Sequence, residues 1–99
     1  IDAPRLAEES GSYLRQALVA VPGVASVRGS GLLLGAELAA GIESAKVYQG
    51  CLAAGLVVNA VNATTIRMAP PLNVSRQHID EAVTIFGSVV AAVAKEANV

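Results

Sequence analysis

The amino-acid sequence predicts an α+β fold, a two-layer sandwich in which helices pack on a small, mainly antiparallel sheet, in the order α-β-β-α-β-β-α. Its 99 residues are enough for one domain with one hydrophobic core. Apolar residues recur at helical spacing in three segments, and four strand-like runs lie between these segments in two pairs. The short connections within each pair require antiparallel strands, because parallel strands need a long crossover. Residues 1–99 are therefore expected to form a single domain.

The first helix is predicted over residues 3–20. Pro4 suits the first turn, where its missing N–H group costs little, and the pair Pro22-Gly23 ends the helix. Spacings of three and four residues give it one mostly apolar stripe. The stripe consists of Leu6, Ser10, Tyr13, Leu14, Ala17, Leu18 and Val21.

The first pair of strands is predicted over residues 24–28 and 32–38, joined by residues 28–31. In the first strand the side chains alternate, with Ala25 and Val27 on one face and Ser26 and Arg28 on the other. The second strand is a continuous apolar run, which is typical of a strand that is covered on both faces.

A second helix is predicted over residues 42–54, with Gly55 as its left-handed C-terminal cap. Its apolar stripe consists of Val47, Tyr48, Cys51 and Leu52. Two short strands follow, over residues 56–59 and 64–68, with Asn62 in the turn between them because Asn tolerates unusual backbone angles.

The last helix is the clearest element. Pro70-Pro71 stops the preceding strand, since neither proline can donate to a sheet. Ser75 is a good N-cap, and Asp80 and Glu81 lie near the positive end of the helix dipole. The apolar stripe then runs for four turns, to an end near residue 96. It consists of Ile79, Ala82, Val83, Phe86, Val89, Val90 and Val93.

The composition argues against several classes of partner. The net charge is −1 and no basic patch is present, so the sequence lacks the electrostatic footprint of a nucleic-acid-binding protein. No apolar stretch is long enough to span a bilayer, and no basic amphipathic helix indicates a membrane surface. A single cysteine excludes an internal disulfide and favours a cytoplasmic location. With 54% hydrophobic residues, the chain is expected to carry a face that another domain covers, and an excised fragment of a longer protein is expected.

Three possible sites are rejected on their local pattern. Gly29, Gly31 and Gly35 form G-x-G-x-x-x-G, which is one residue longer than the dinucleotide-binding fingerprint and leads into a strand rather than a helix. Cys51 lies on an apolar helical stripe, which indicates a buried structural thiol rather than a nucleophile. His78, the only histidine, is expected in solvent in the first turn of the last helix, without companion metal ligands.

Arg67 is the one candidate binding residue. Alternation places it on the face opposite Ile66 and Met68, directly before the rigid Pro70-Pro71 stop. A fixed guanidinium at a strand end is a suitable fork for a carboxylate. The alternatives are a solvated arginine at a sheet edge and an ion pair with Glu37. Spacing and composition alone favour these alternatives.

Three stretches together resemble the class III (fold-type I) aminotransferases, and within that class the acetylornithine aminotransferases most closely. They are VRGSGLLLGAEL at residues 27–38, AGLVVNAV at residues 54–61, and TIRMAPPLNV at residues 65–74, followed by IDEA at residues 79–82. The similarity covers nearly the whole chain and is least specific in the first helix. It is fairly specific for the class and less so for the substrate.

The resemblance implies that the chain is the C-terminal small domain of a longer enzyme. In this class a large domain binds pyridoxal 5′-phosphate through a lysine, and active sites are generally built at the interface of a homodimer. The arginine that matches Arg67 grips the α-carboxylate of the amino acid or of 2-oxoglutarate, and the strands from Arg28 to Glu37 are scaffold. The implied reaction transfers an amino group from N-acetylornithine to 2-oxoglutarate, in arginine biosynthesis.

The resemblance also limits what this chain can do by itself. Neither Lys46 nor Lys95 lies in a pattern like the cofactor-lysine motif, and the phosphate site of the cofactor is missing too. The isolated chain is therefore expected to bind no cofactor and to be inactive. Other hypotheses remain open at this point. They are an ornithine or other class III aminotransferase, a regulatory α+β module that binds a small amino acid, and an oligomerisation domain that buries Arg67 in an ion pair.

Overall fold

The computed structural model describes residues 3–31, 33–70 and 74–97. It confirms the predicted α+β sandwich and the predicted order of elements. The elements are α1 (Ala3–Val19), β1 (Val24–Ser30), β2 (Leu33–Leu38), α2 (Ser44–Ala53), β3 (Asn59–Asn62), β4 (Thr65–Met68) and α3 (Arg76–Ala97).

The four strands form one antiparallel sheet in the order β1-β2-β4-β3. The second layer is made by the helices, which pack on one face of the sheet. The side chains of that face are buried, and they come from the two central strands and from the helices. Phe86, Leu18 and Val47 are among the fully buried helix residues, and Leu34 and Ile66 are their counterparts on the sheet.

Within the described residues, no helix packs on the other face of the sheet, which we call the open face. Because directly paired residues of antiparallel strands point to the same side, the register defines its rows. One row runs across all four strands through Arg28, Gly35, Arg67 and Asn59. The next row consists of Ser26, Glu37, Thr65 and Asn62.

This arrangement corrects the expectation that β2 is covered on both faces. Burial alternates along β2, with Leu34, Ala36 and Leu38 buried, whereas Leu33 on the open face is 54% exposed. The apolar run was misleading because it contains Gly35 and Glu37, which lie on the open face. Leu32, the first residue of the predicted strand, lies outside the described residues.

Two predicted side-chain positions are also wrong. A bulge between Val24 and Ser26 shifts the alternation of β1, so that Val24 and Val27 pack against the core and Ala25 is exposed. Leu52, assigned to the apolar stripe of α2, is 52% exposed. Val47 and Cys51 of the same stripe are fully buried.

Two strand boundaries differ from the predictions. β1 continues through Gly29 to Ser30, which pairs with Leu33, so the hairpin connection is shorter than predicted. β3 begins at Asn59 and ends at Asn62, three residues later than predicted. Asn62 therefore ends the strand, and its Oδ1 atom closes the turn by accepting the Thr64 N–H at 2.9 Å.

The later start of β3 follows from the way α2 ends. Gly55 has φ +88°, as predicted for a left-handed cap. The N–H of Leu56 donates to the carbonyl of Cys51 at 2.8 Å, and the N–H of Gly55 donates to that of Leu52 at 3.1 Å. These two bonds form a Schellman motif, which occupies residues that would otherwise begin a strand.

The start of α3 is as predicted. The Oγ of Ser75 accepts the N–H of His78 at 3.1 Å, which is the hydrogen bond of an N-cap. Near this end, the Tyr13 hydroxyl of α1 donates to Asp80 at 2.5 Å, and the Arg76 guanidinium lies 4.7 Å from the centre of the Tyr13 ring. These contacts join α1 to α3 on the helix side of the molecule.

α1 also protects the outer edge of β1. Arg15 donates to the carbonyl of Val27 at 2.8 Å and to the carbonyl of Gly29. These carbonyls have no neighbouring strand to accept from, because β1 is an edge strand. Arg15 thus fixes the position of the strand that carries Arg28.

Candidate functional site

Arg67 lies on the open face, in the central strand β4. Its neighbours Ile66 and Met68 are buried on the helix side, while Arg67 itself is exposed, as alternation predicts. Gly35 of β2 lies beside it in the register on one side and Asn59 of β3 on the other. A central strand is held by two neighbours, so the backbone of Arg67 is rigidly placed although its side chain faces outward.

The structure answers the question of an ion pair between Arg67 and Glu37. The carboxylate of Glu37 accepts the hydroxyl of Thr64 at 2.7 Å and the hydroxyl of Thr65. These two hydrogen bonds lower the pKa of Glu37, that of Thr65 more strongly than that of Thr64. The positive charge of Arg28 makes a smaller contribution in the same direction. Among the described residues, Glu37 forms no ion pair with Arg67, so this alternative for Arg67 is not found in the structure.

Within the described ranges, Arg67 has neither a hydrogen bond nor an ion pair to another side chain. A carboxylate from outside this chain could therefore reach its guanidinium without displacing an internal partner.

A second arginine on the open face was assigned only to scaffold by the sequence. Arg28 of β1 pairs with Gly35, which in turn pairs with Arg67. Arg28 is exposed, and it too makes no hydrogen bond or ion pair with the residues that the structure describes. The signal for its orientation was available, since alternation places Arg28 opposite Val27. Its proximity to Arg67 was not, because that depends on how β2 pairs with β4.

The end of β4 lies beside an apolar groove of about 380 Å³. The groove is lined mainly by Leu56, Val57, Met68, Pro70 and Val74. Met68 belongs to the helix side of the sheet and Arg67 is not among the lining residues, so this groove is separate from the arginine row. Pro71, the second residue of the predicted proline stop, lies outside the described residues.

The rejected sites are placed as expected. Cys51 is fully buried, and burial raises the pKa of its thiol, so it is a structural residue with little thiolate character. His78 is exposed in the first turn of α3. Among residues 3–31, 33–70 and 74–97, no group of three or more His, Cys, Asp or Glu side chains is placed to hold a metal ion.

The glycines are hairpin residues rather than a nucleotide-binding loop. Gly29 and Gly31 have φ angles of +119° and +57° in the β1–β2 hairpin. A Cβ atom on Gly29 would lie 2.1 Å from the carbonyl oxygen of Leu33, so a side chain there is excluded by the backbone itself.

A cofactor that needs a lysine does not fit the open face of this chain. The two lysines, Lys46 in α2 and Lys95 in the last turn of α3, are exposed on the helix layer. Neither belongs to a strand, and the open face carries only strand side chains. The described residues therefore provide no lysine beside Arg67.

Among the described residues, the helices lack the combination of length and apolar character that crossing a membrane requires.

Comparison with known proteins identifies the family. Residues 3–90 match the family model described as aminotransferase class-III. The chain belongs to this family. The resemblance seen in the three sequence stretches is thus confirmed at the level of the class, and the α+β sandwich is the fold found in the matching part of class III aminotransferase structures.

Individual relatives carry different substrate names. An acetylornithine aminotransferase from Bifidobacterium longum is 44% identical over 85 residues, which cover 84% of this chain and 20% of the relative. An ornithine aminotransferase from Bordetella pertussis is 40% identical over 87 residues, covering 86% of this chain and 21% of the relative. The chain therefore spans about a fifth of the length of the curated relatives it matches.

A solved structure supports the same placement. The ornithine aminotransferase from Toxoplasma gondii, whose structure reveals partial occupancy of PLP at its active site, aligns with a TM-score of 0.78 at 25% identity. The alignment covers 95% of this chain and 24% of that structure. The similarity thus extends over nearly all of the sandwich and only a quarter of the larger protein.

Proposed function

We propose that this chain is the C-terminal small domain of a longer pyridoxal-phosphate-dependent aminotransferase, and that Arg67 binds a substrate carboxylate in that enzyme. Family membership and the fraction of the relatives that the chain covers support the first part. The observation that carries the second part is the state of Arg67, whose exposed guanidinium has no partner among the described residues although a carboxylate lies in the adjacent row.

The role of Arg67 is to position the substrate. A guanidinium binds a carboxylate through two parallel N–H···O bonds, which fixes both the position and the orientation of the bound group. Because β4 is a central strand, the fork has a fixed base. A substrate whose carboxylate is held in this way has its reacting end restricted as well, and this restriction lowers the entropic part of the barrier.

The chemical step is assigned to the part of the protein outside this chain. Pyridoxal 5′-phosphate, when bound, supplies an electron sink for amino transfer. Since neither lysine of this chain lies on the open face, we place the cofactor lysine and the phosphate site in a large domain of the same polypeptide. By the family resemblance we further propose a cytoplasmic homodimer, and we expect the isolated 99-residue chain to be inactive.

We propose N-acetylornithine as the amino donor and 2-oxoglutarate as the acceptor, a reaction of arginine biosynthesis. The sequence resemblance and the acetylornithine aminotransferase relatives support this choice. Ornithine is the second candidate donor, because relatives named ornithine aminotransferase are 40% identical to this chain.

The test is an assay of the full-length protein, supplied with pyridoxal 5′-phosphate and 2-oxoglutarate, in which glutamate formation is measured. Acetylornithine is expected to give a higher kcat/KM than ornithine at equal enzyme concentration. A reversed ratio would replace the donor assignment and leave the reaction class intact. Absence of glutamate formation with either donor, and with a wider panel of amino acids, would reject the aminotransferase assignment for this protein.

The alternative of a regulatory amino-acid-binding module has its own test. Calorimetry of the 99-residue chain with acetylornithine, ornithine, glutamate and arginine is expected to show no tight binding, because Arg67 supplies only one wall of a site. Tight binding by the chain alone would favour the regulatory module.

A further inference from the structure

The arginine row of the open face places two positive charges on either side of a glycine. Arg28 and Arg67 are both paired with Gly35 in the register, one through β1–β2 and the other through β2–β4. Opposite residues in antiparallel strands have Cα atoms about 5 Å apart, so the two arginine Cα atoms are roughly 10 Å apart. Their side chains leave the sheet on the same side, and Gly35 between them contributes only a flat stretch of backbone.

Within the described part of the chain, neither arginine has a hydrogen-bonded or ion-paired partner, although the charge of Glu37 in the next row attracts that of Arg28. The four strands contain one acidic residue, Glu37, and its carboxylate is taken by the hydroxyls of Thr64 and Thr65. Those hydrogen bonds keep Glu37 charged, yet they also hold it in the next row rather than across Gly35. The open face thus carries two guanidinium groups on the same side of the sheet, neither of them hydrogen-bonded to a described residue.

Such a pair is suited to a ligand with two separated anionic groups. Each guanidinium offers a complete fork, and a single carboxylate fills one fork. Because β2 lies between β1 and β4, the Cα atoms of the two arginines are held apart. The two guanidinium groups therefore bind the opposite ends of one extended ligand more readily than they bind one carboxylate together. A side chain at position 35 would project between the two guanidinium groups, where the middle of the ligand would lie, and Gly35 has no side chain. A Cβ there would already lie 3.4 Å from the methyl group of Thr65.

We propose that Arg28 is a second substrate-binding residue, which holds the distal carboxylate of a dicarboxylate over Gly35 while Arg67 holds the other. This inference rests on the proposed function, since it takes the open face as a wall of the substrate site. It changes Arg28 from scaffold to a residue that selects the substrate class. Dicarboxylic 2-oxo acids and dicarboxylic amino acids gain a second guanidinium–carboxylate contact, with Arg28. Ligands whose far end is neutral or positively charged do not.

The experiment uses the full-length protein and compares two 2-oxo acids of equal chain length, 2-oxoglutarate and 2-oxopentanoate. Arg28→Gln is expected to raise the KM for 2-oxoglutarate roughly tenfold to a hundredfold, the range that corresponds to one lost hydrogen bond to a charged group. The KM for 2-oxopentanoate should change less than about twofold, a factor within the usual scatter of surface substitutions. Arg28→Lys keeps the charge and loses the fork, so its effect on 2-oxoglutarate should be smaller.

Arg76→Gln is the matched control. It removes the same charge from an exposed arginine, but Arg76 lies against Tyr13 on the helix side, away from the open face. Its ratio of the two KM values should equal that of the unsubstituted protein. This control separates a local carboxylate contact from a general loss of positive charge.

A binding measurement tests the inference without turnover. Glutarate has both carboxylates and no carbonyl that can react, and pentanoate has only one carboxylate. Calorimetry should show that Arg28→Gln weakens glutarate binding by about the same factor as it raises the KM. Pentanoate binding should be unaffected.

The possible outcomes are distinguishable. If the protein transaminates but Arg28→Gln leaves both the KM ratio and the glutarate affinity unchanged, Arg28 is not a substrate-binding residue and the proposed function stands. An equal rise in both KM values also overturns the inference, because it shows no selection for the second carboxylate. If the protein does not transaminate but binds glutarate in a manner that depends on Arg28, the inference about Arg28 as a carboxylate-binding residue is kept and the proposed reaction is rejected. If the protein neither transaminates nor binds glutarate in a manner that depends on Arg28, both the proposed function and the inference about Arg28 are rejected.

Discussion

Replacing Gly11 with alanine tests the packing that positions the arginine row. Gly11 lies in α1, where it is buried against the β1–β2 hairpin. A Cβ atom at this position would lie 1.9 Å from the carbonyl oxygen of Gly31 and 2.5 Å from its carbonyl carbon. Both atoms belong to the backbone, so no side-chain rotation can relieve the contact. α1 and the hairpin would have to separate until this distance reaches at least the 3.4 Å of ordinary contact.

The expected loss of stability can be estimated from three contributions. Overpacking of this kind costs about 1–3 kcal/mol. Separation would also weaken the two hydrogen bonds of Arg15, one turn further along α1, each worth about 1 kcal/mol. Alanine offsets about 1 kcal/mol of this because it is a better helix former than glycine. The net effect is a loss of about 2 kcal/mol, which lowers the Tm of a domain of this size by roughly 10 °C.

Gly87→Ala is the matched control for this experiment. Gly87 lies in α3, and a Cβ there would meet only a methyl group of Val21, at 3.7 Å. The substitution should therefore show the gain in helix propensity alone, about 0.5–1 kcal/mol in favour of the folded state. Both variants are measured by thermal and urea unfolding followed by circular dichroism. If Gly11→Ala is as stable as the unsubstituted protein, α1 does not approach the hairpin as closely as the structure shows.

Two further substitutions address the edge of the sheet and the acidic residue of the open face. Arg15→Met keeps an unbranched apolar stem and removes the two donors to β1, so it should lower the unfolding free energy by about 1–2 kcal/mol and increase aggregation through the unprotected strand edge; equal stability in urea unfolding would show that these bonds contribute nothing. Thr65→Val removes a hydrogen bond to Glu37, so the depressed pKa of Glu37 should rise towards its ordinary value of 4.5, which an NMR titration of the carboxyl group measures. The stabilisation by ionised Glu37 is fully present above pH 4.5 and is lost as the pH falls through the lower folded-state pKa. Thr65→Val should reduce this acid-dependent loss of stability. An unchanged titration curve of Glu37 in this variant would contradict the account.

The helices could be predicted well because their signals are local. The apolar stripe of α3 and its N-cap at Ser75 depend only on residues within a few turns of each other, and both are found in the structure. The orientation of Arg67 is local in the same sense, since it follows from alternation with Ile66 and Met68. The family resemblance added the expected role of Arg67, which no periodicity contains.

The errors arise where the outcome depends on contacts distant in sequence. A bulge between Val24 and Ser26 reverses the alternation at Ala25, and its position depends on the pairing with β2. The number of covered faces of β2 depends on where all three helices pack. The juxtaposition of Arg28 and Arg67 depends on β2 pairing with β4, two strands that are separated by a whole helix. Local pattern fixes which way each arginine faces, whereas only the sheet order shows that they share a row.

The position of Arg28 links the stability of the domain to its proposed selectivity. Arg15 and Gly11 of α1 together set the distance between this helix and the hairpin that carries Arg28. A change in that distance moves one end of the arginine row while β4 keeps Arg67 in place. Gly11→Ala is therefore expected to impair binding of dicarboxylates more than binding of monocarboxylates in the full-length protein, in parallel with its effect on stability.

The most direct test of the account is the kinetic behaviour of Arg67→Gln in the full-length protein. Loss of the fork should raise the KM for the amino donor and for 2-oxoglutarate by roughly tenfold or more, since each depends on a carboxylate bound by a charged hydrogen-bond donor. Absorbance of the bound cofactor should be unchanged, because no residue of this chain is assigned to hold it. Unchanged KM values for both substrates would show that Arg67 does not bind substrate, and the central claim would then be wrong.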